Sequence, residues 1–201
     1  MENSSEKPIK VILLGETGTG KTSLINVSIG INFKEKLDLT FSNSYVIKKI
    51  NINNQIYNLE IWDTIGQERY KHLTKLFFKG SKIVILVYDK SKKESFNKID
   101  FWFNEVKTVL NTDEIILAIA ANKDDLEIND DDVDEDKARE YSKKINAKFQ
   151  ATSAKMKSSG FVQFLTELLV DYIKKCGGNV KLDDKIVLTK KKKKKHKCFK
   201  F

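Results

Sequence analysis

The segment Gly15-Glu16-Thr17-Gly18-Thr19-Gly20-Lys21-Thr22 decides the fold predicted for this chain. It has the pattern G-x-x-x-x-G-K-[ST], follows the apolar run Ile9–Leu14, and precedes a helical pattern that begins near Lys21. A strand, a glycine-rich loop and a helix in this order are typical of a phosphate-binding loop. The glycines let backbone N–H groups close around phosphates, Lys21 neutralises phosphate oxygens, and the Thr22 hydroxyl is a ligand for Mg²⁺. The segment therefore predicts a nucleoside triphosphate site.

Two later segments, Asn122-Lys123-Asp124-Asp125 and Thr152-Ser153-Ala154-Lys155, indicate which base is bound. A carboxylate at Asp125 can accept two hydrogen bonds from the ring N–H and exocyclic amine of guanine, a pair that adenine does not offer. Asn122 would brace this loop, and the aliphatic stem of Lys123 would lie over the base. Either segment alone is usually a polar turn. In register with the phosphate loop, they predict a guanine nucleotide.

Apolar strand patterns alternate with amphipathic stretches along the chain, which is typical of a doubly wound α/β domain. We expect a mostly parallel six-stranded sheet with helices on both faces. The turn Asn53-Asn54 predicts a tight hairpin, and hence one antiparallel pair of strands. The strands are expected at Ile9–Leu14, Tyr45–Ile52, Gln55–Asp63, Lys82–Tyr88, Ile115–Ala121 and Lys148–Thr152. The helices are expected at Lys21–Gly30, Glu68–Lys79, Lys93–Leu110, Val133–Ile145 and Ser159–Lys175.

Length and charge indicate one folded domain followed by a tail. The 201 residues suit a single domain with a full core. We expect an N-terminal arm at 1–8, a nucleotide-binding domain at 9–175 and a flexible tail at 176–201. Eight lysines lie in the last twelve residues, so nine minus eight leaves a net charge of about +1 for the remainder. This distribution argues against a nucleic-acid-binding domain. No apolar run approaches the ~20 residues that span a bilayer, and because Met1–Lys7 is polar we do not expect a secreted protein.

Together with Asp63-Thr64-Ile65-Gly66-Gln67-Glu68, these segments resemble, in order and spacing, those of the small GTPases of the Ras superfamily. The resemblance covers roughly residues 9–175. It implies that the chain binds GTP and GDP with Mg²⁺ and hydrolyses GTP to GDP and phosphate. The metal-binding residues that it implies are Thr22, Thr40 and Asp63. The nucleotide-binding residues that it implies are Gly15, Thr17, Gly18, Thr19, Gly20, Lys21, Thr22, Ser23, Phe33, Thr40, Gly66, Asn122, Lys123, Asp125, Ser153, Ala154 and Lys155.

The same resemblance implies a switch driven by the γ-phosphate. Thr40 and the Gly66 N–H would contact that phosphate only while it is present, so hydrolysis would release the segments around them. Gln67 would orient the attacking water, and Lys21 and Thr40 complete the implied catalytic set. No arginine in the chain is an evident catalytic finger. Turnover is therefore expected to be slow without an activating protein, whose arginine would supply ~10³–10⁵-fold.

Within the superfamily, Trp62–Tyr70 and Phe77-Phe78-Lys79-Gly80-Ser81 resemble the corresponding stretches of Rab proteins. This resemblance implies an exposed aromatic surface, formed by Tyr45, Trp62 and Phe77, that effectors bind in the GTP state. It also implies a monomeric switch that regulates vesicular membrane traffic. The implied partners are an exchange factor, an activating protein, effector proteins and the cytoplasmic face of membranes, with no nucleic acid.

The C-terminal segment Cys198-Phe199-Lys200-Phe201 has the position of a prenylation motif, with Lys200 where an aliphatic residue is usual. A terminal Phe favours geranylgeranyl. The adjacent lysines would add about 1 kcal/mol each near an anionic leaflet. We expect peripheral attachment to endomembranes or plasma membrane through Cys198. The alternative is a solvated charge run with an unmodified thiol.

Two departures from the Rab pattern lie in the expected moving parts. Ile65 stands where the family has Ala, and Phe41-Ser42 replaces Ile-Gly. An alternative function is therefore a GTP-binding module that hydrolyses little because of Ile65. A phosphoryl-transferring kinase is a third alternative function, and the guanine segment argues against it.

The acidic run 130–136 lacks the spaced ligands and glycine of a calcium loop, and we interpret it as acids at a helix N-terminus.

Overall fold

The computed structural model describes residues 7–35, 44–64, 77–127, 131–156 and 160–178, which form a six-stranded sheet with helices on both faces. The strands are β1 (Ile9–Leu14), β2 (Ser44–Ile52), β3 (Gln55–Asp63), β4 (Ile83–Asp89), β5 (Ile116–Asn122) and β6 (Lys148–Ala151). The helices are α1 (Lys21–Ser28), α2 (Lys93–Asn97), α3 (Ile99–Lys107), α4 (Glu135–Lys144) and α5 (Phe161–Lys175), with a 3₁₀ helix at Thr112–Glu114. None of these helices has the length and apolar character needed to cross a membrane.

The strand order β2-β3-β1-β4-β5-β6 confirms the predicted doubly wound, mostly parallel sheet. Only β2 and β3 pair in the antiparallel sense among these strands. Their turn residues Asn53 and Asn54 have φ values of 51° and 64°. Two positive φ values at a two-residue turn define the I′ type, whose twist matches that of the strands it joins. The hairpin predicted from Asn53-Asn54 is therefore confirmed.

The parallel strands bring the predicted site segments to one edge of the sheet. Leu13 of β1 pairs with Asp63 of β3, and Asp89 of β4 pairs with Asn122 of β5. Ala121 pairs in turn with Ala151, the last residue of β6. Because these strands run in the same direction, their carboxyl ends and following loops meet at one edge, where open α/β sheets bind ligands.

The core consists of two apolar layers, one on each face of the sheet. One layer contains Leu24 of α1 and Leu168 of α5, and the other contains Trp102 of α3 and Ala138 of α4. All seven residues of β4 are buried between the layers, as expected for a central parallel strand. The sheet is therefore packed on both faces beneath the loops at its carboxyl edge.

The predicted helix Lys93–Leu110 is wrong as a single helix. Lys98, with φ −85° and ψ −7°, separates α2 from α3. Neither Gly nor Pro occurs at this position, so the sequence contains no ordinary signal for the break. Most of the predicted helix Glu68–Lys79 lies outside the described residues.

Helix α4 begins two residues later than predicted, and tertiary contacts explain the difference. The Val133 N–H donates to the carbonyl of Lys90, 2.9 Å away, and its side chain is buried. The helix instead starts after Asp134, whose carboxylate accepts from the Asp136 N–H at 2.9 Å as an N-cap. Glu135 and Asp136 occupy the first turn, as we expected for the described part of the acidic run.

Candidate nucleotide site

The loop between β1 and α1 surrounds the ammonium group of Lys21. Lys21 Nζ donates to the carbonyls of Gly15 and Glu16 at 2.8 and 3.0 Å, and the residue is only 5% exposed. Burial lowers the pKa of Lys21 to about 8, while the nearby carboxylates of Asp63 and Glu16 oppose this effect. The loop therefore holds a buried ammonium group whose charged form would be stabilised by an anion placed beside it.

Two glycines of this loop allow close approaches that a side chain would prevent. A Cβ on Gly15 would lie 2.0 Å from the Val87 carbonyl oxygen, and one on Gly20 would lie 2.3 Å from Asn122 Nδ2. Both residues have positive φ, at 147° and 90°, which glycine adopts without steric cost. Glycine is thus required at positions 15 and 20 because β4 and β5 approach the loop too closely for a side chain.

Helix α1 begins at Lys21, directly after this loop. The first turn of a helix leaves N–H groups without intrahelical acceptors, and its dipole favours negative charge. Gly20 at the N-cap has no side chain that could accept hydrogen bonds from these N–H groups. The loop and the start of α1 therefore have the chemistry of an anion site.

The side chain of Asn122 joins the base segment to the phosphate loop. Its Nδ2 donates to the Thr19 carbonyl at 2.8 Å, and the residue is 1% exposed. Thr152, directly after β6, donates from Oγ1 to Asn122 Oδ1 at 3.4 Å and from its N–H to the Ala121 carbonyl at 2.8 Å. Three loops that are distant in the sequence are thereby connected.

The two predicted base segments meet directly. Ser153 Oγ donates to Asp125 Oδ1, and the same Oγ accepts from the N–H groups of Lys155 and Met156 at 3.2 and 3.1 Å. Ala154, which lies between Ser153 and Lys155 in the chain, is 6% exposed and contributes to the core. Ser153 thus holds the Asp125 carboxylate against the loop that follows β6.

Asp89 belongs to the site although the sequence analysis did not identify it. Its carboxylate lies 2.6 Å from Lys123 Nζ and also accepts from the N–H and Oγ of Ser91 at 3.0 and 2.7 Å. Lys123 has φ +68°, which is uncommon outside glycine. The pairing therefore fixes a side chain whose backbone is in an unusual conformation. Only the paired register of β4 and β5 indicates this contact.

Thr22 and Asp63, two of the predicted metal ligands, are adjacent. Thr22 Oγ1 donates to Asp63 Oδ2 at 2.6 Å, and Asp63 is 5% exposed. Next in the chain, Thr64 Oγ1 donates to the Leu13 carbonyl at 2.5 Å and fixes the end of β3. The described residues contain no cluster of three or more His, Cys, Asp or Glu side chains suited to a metal ion. A hydroxyl beside a carboxylate is nevertheless the oxygen donor type that Mg²⁺ prefers.

The segment after α1 approaches the loop after β6. Phe33 is half-buried and packs against the core layer that contains α1 and α5. Glu35 Oε1 lies 3.8 Å from Lys155 Nζ. Thr17 and Gly18 are exposed in the phosphate loop, and Ser23 lies in the first turn of α1. The structure therefore connects the phosphate loop with the segments that follow β5 and β6, and it brings Glu35, two residues after Phe33, close to Lys155.

Of the predicted site residues, Thr40, Gly66, Gln67 and Cys198 lie outside the described residues, and so do Phe41, Ser42 and Ile65, which depart from the Rab pattern. Their roles stay predictions.

The three aromatic residues predicted for the effector surface are in contact. The ring centroids of Tyr45 and Trp62 are 4.9 Å apart, and those of Trp62 and Phe77 are 5.7 Å apart. Lys10 Nζ lies 4.6 Å from the Trp62 ring centroid. Tyr45 is 52% exposed, whereas Trp62 and Phe77 are half-buried. The three rings form one continuous cluster beside the edge strand β2.

Comparison with known proteins agrees with this arrangement. The family model described as the Ras family matches residues 10–174. The Ras-related protein Rab-21 of Geodia cydonium is 40% identical over 159 residues, which cover 79% of this chain and 68% of that protein. Rab-21 of Mus musculus is 37% identical over 176 residues, covering 88% and 76%, and human Rab-22A is 37% identical over 149 residues, covering 74% and 76%. Because the family match extends from the first strand to the last helix and these relatives align over most of the chain, this protein belongs to the Ras family and is a Rab-type small GTPase.

Proposed function

We propose that this Rab-type GTPase is a molecular switch that cycles between GTP and GDP and recruits effectors to membranes during vesicular traffic. The observation that carries the proposal is the bond from Asn122 Nδ2 to the Thr19 carbonyl, which joins the phosphate loop to the base loop. With the two loops held side by side, the phosphates and the base of a single nucleotide can both be bound. Pre-organisation of this kind reduces the cost of ordering loops on binding.

Recognition of guanine is assigned to the Asp125 carboxylate. Its Oδ1 accepts from Ser153 Oγ, so the carboxyl group is already oriented, and it can accept from the guanine ring N–H and amine. The stem of Lys123 would lie over the base while Asp89 holds its ammonium group. Phe33 would cover the base from the other side.

The phosphates are assigned to the loop 15–22 and the start of α1. Lys21 would neutralise oxygens of the β- and γ-phosphates, and the first-turn N–H groups would bind them. Thr22 and Asp63 fit a magnesium ion because they bring a hydroxyl and a buried carboxylate together, and Thr40 would join them. When bound, Mg²⁺ supplies positive charge that neutralises the phosphates.

Hydrolysis is assigned to positioning and charge stabilisation. Gln67 would orient the attacking water, with the Gly66 N–H and Thr40 held at the γ-phosphate until it is lost. We expect slow turnover in the absence of an activating protein that supplies an arginine.

Effector recruitment and membrane attachment are assigned to two separate parts of the protein, the aromatic cluster and the C-terminal tail. The cluster of Tyr45, Trp62 and Phe77 would bind effectors in the GTP state, since aromatic side chains contribute strongly to interfaces. Cys198 and the lysines around it would attach the monomeric protein to the cytoplasmic face of endomembranes or plasma membrane.

A single-turnover assay on the purified full chain tests the proposal. Preloaded GTP should be converted to GDP with magnesium present, and a thousandfold excess of ATP should not displace the bound guanine nucleotide. Binding of ATP in competition with GTP would remove the guanine assignment, and failure to hydrolyse GTP with any activating protein would remove the switch cycle.

A further inference from the structure

The carboxylate of Glu16 makes a contact that the proposed nucleotide site does not use. Glu16 Oε1 accepts from the indole Nε1 of Trp102 at 3.0 Å, although 86 positions separate the two residues. Trp102 lies in α3 and is 2% exposed. A buried indole N–H needs an acceptor, and an ionised carboxylate is a strong one. The bond therefore connects the phosphate loop to a helix in the core.

The main-chain carbonyl of Glu16 accepts two side-chain hydrogen bonds from within the same loop. The donors are Lys21 Nζ at 3.0 Å and Thr19 Oγ1 at 2.9 Å. A shift of the Glu16 backbone would therefore move the Lys21 ammonium group and alter the curvature of the loop. A side chain that is held at its far end restricts such a shift.

We propose that Trp102 is a positioning residue for the phosphate loop: its indole N–H clamps the Glu16 carboxylate, so that the Glu16 carbonyl keeps Lys21 directed at the phosphates. The inference rests on the proposed binding of a guanine nucleotide. Trp102 acts through Glu16 and contacts no nucleotide itself. A loop fixed in this way pays less ordering cost when the nucleotide binds and releases it more slowly.

A purely structural role for Trp102 makes a different prediction. The ring packs against Phe101 at 5.4 Å between centroids and lies in the core layer with Ile99 and Val106. If only this packing mattered, changes at Glu16 that leave the core intact would have no effect on nucleotide release. Glu16→Ala removes the acceptor, whereas Glu16→Gln retains an amide oxygen that can accept the same bond.

The test measures the release rate of a fluorescent GDP analogue from the full chain. We expect about tenfold faster release from Glu16→Ala and from Trp102→Phe, the loss typical of one buried hydrogen bond. Glu16→Gln should stay within about twofold of wild type because the bond can re-form. The double variant Glu16→Ala/Trp102→Phe should be no faster than the quicker single variant, since both remove one interaction. Asn104→Ala, which deletes an exposed hydrogen bond to Asp100 on the same helix, is the matched control and should behave like wild type.

Release from Glu16→Ala at the wild-type rate would overturn the inference even if Trp102→Phe fails to fold, and so would rates that multiply in the double variant. Neither result would affect the proposed function. A wild-type chain that does not bind GDP would instead overturn the proposed function, and this inference with it.

Discussion

Base selectivity is expected to depend on one carboxylate, Asp125. Asp125→Asn should weaken GTP binding about 10- to 100-fold, as expected when hydrogen bonds to a charged group are lost. Binding of a xanthine nucleotide should improve, because the amide donates where the carboxylate accepted. Competition titrations with both nucleotides measure the change.

The neighbouring Asp124 provides a matched control for Asp125. Its carboxylate pairs with Lys90 and its side chain is 41% exposed, so Asp124→Asn should leave selectivity unchanged. Equal effects of the two substitutions would contradict the assignment of guanine recognition to Asp125.

The buried ammonium group of Lys21 should make nucleotide binding depend on pH. Burial lowers its pKa from 10.5 to about 8, so part of the population is neutral at pH 8. Bound phosphates favour the charged form, and binding should therefore take up a fraction of a proton, with more taken up at pH 8 than at pH 7. Affinity for GDP should fall as the pH rises above 8. Calorimetric titrations with GDP in two buffers of different ionisation enthalpy measure the uptake, and equal uptake at the two pH values would refute the prediction.

Ile65 is expected to slow hydrolysis because it adds bulk beside Gly66 and Gln67. Thr64, immediately before it, is buried and bonded to the Leu13 carbonyl, so the chain has little freedom on that side. A shift of ~1 Å in the groups around the γ-phosphate can cost ~10²-fold in rate. We therefore expect Ile65→Ala to raise GTP hydrolysis, alone or with an activating protein, by up to about 10²-fold. Ile65→Val should have an intermediate effect in single-turnover assays, and identical rates for all three proteins would show that Ile65 is silent.

At the scale of elements, the β2–β3 hairpin depends on its left-handed turn. Asn54 has φ 64°, which a β-branched residue adopts at a cost of roughly 1–2 kcal/mol. Asn54→Val should lower the free energy of unfolding by about that amount in urea with GDP bound.

Asn51→Val is the matched control for the hairpin. Asn51 is exposed in β2, where valine is favourable, so stability should be unchanged or slightly higher. Equal destabilisation by both substitutions would mean that turn geometry is not the cause.

At the scale of the whole molecule, the folded domain and the tail should act independently. Cys198→Ser should move the protein from membranes to the soluble fraction of cells, because a lipid chain would supply the apolar part of the attachment. Neutralising the lysines at 190–195 should only redistribute the protein among membranes, since those charges supply a preference for anionic leaflets. Both variants should bind GDP as wild type does. Unchanged fractionation of Cys198→Ser would show that prenylation of Cys198 does not attach the protein to membranes.

The sequence by itself determined the fold class and which segments follow the carboxyl ends of the parallel strands. The pattern from Gly15 to Thr22 specified a strand, a loop and a helix, and β1 and β3 have the bounds predicted for them. The Asn53-Asn54 turn fixed one antiparallel pair. These features were predictable because hydrophobic periodicity and positive-φ turns are properties of short segments.

Only the tertiary structure decided how these segments are joined. The bond from Asn122 to Thr19, the pairing of Asp89 with Lys123 and the clamp of Trp102 on Glu16 link residues that are far apart in the chain. The late start of α4 likewise follows from the bond of Val133 to Lys90. Each of these contacts depends on which strands and helices become neighbours, and that order is set by packing on both faces of the sheet rather than by any local pattern.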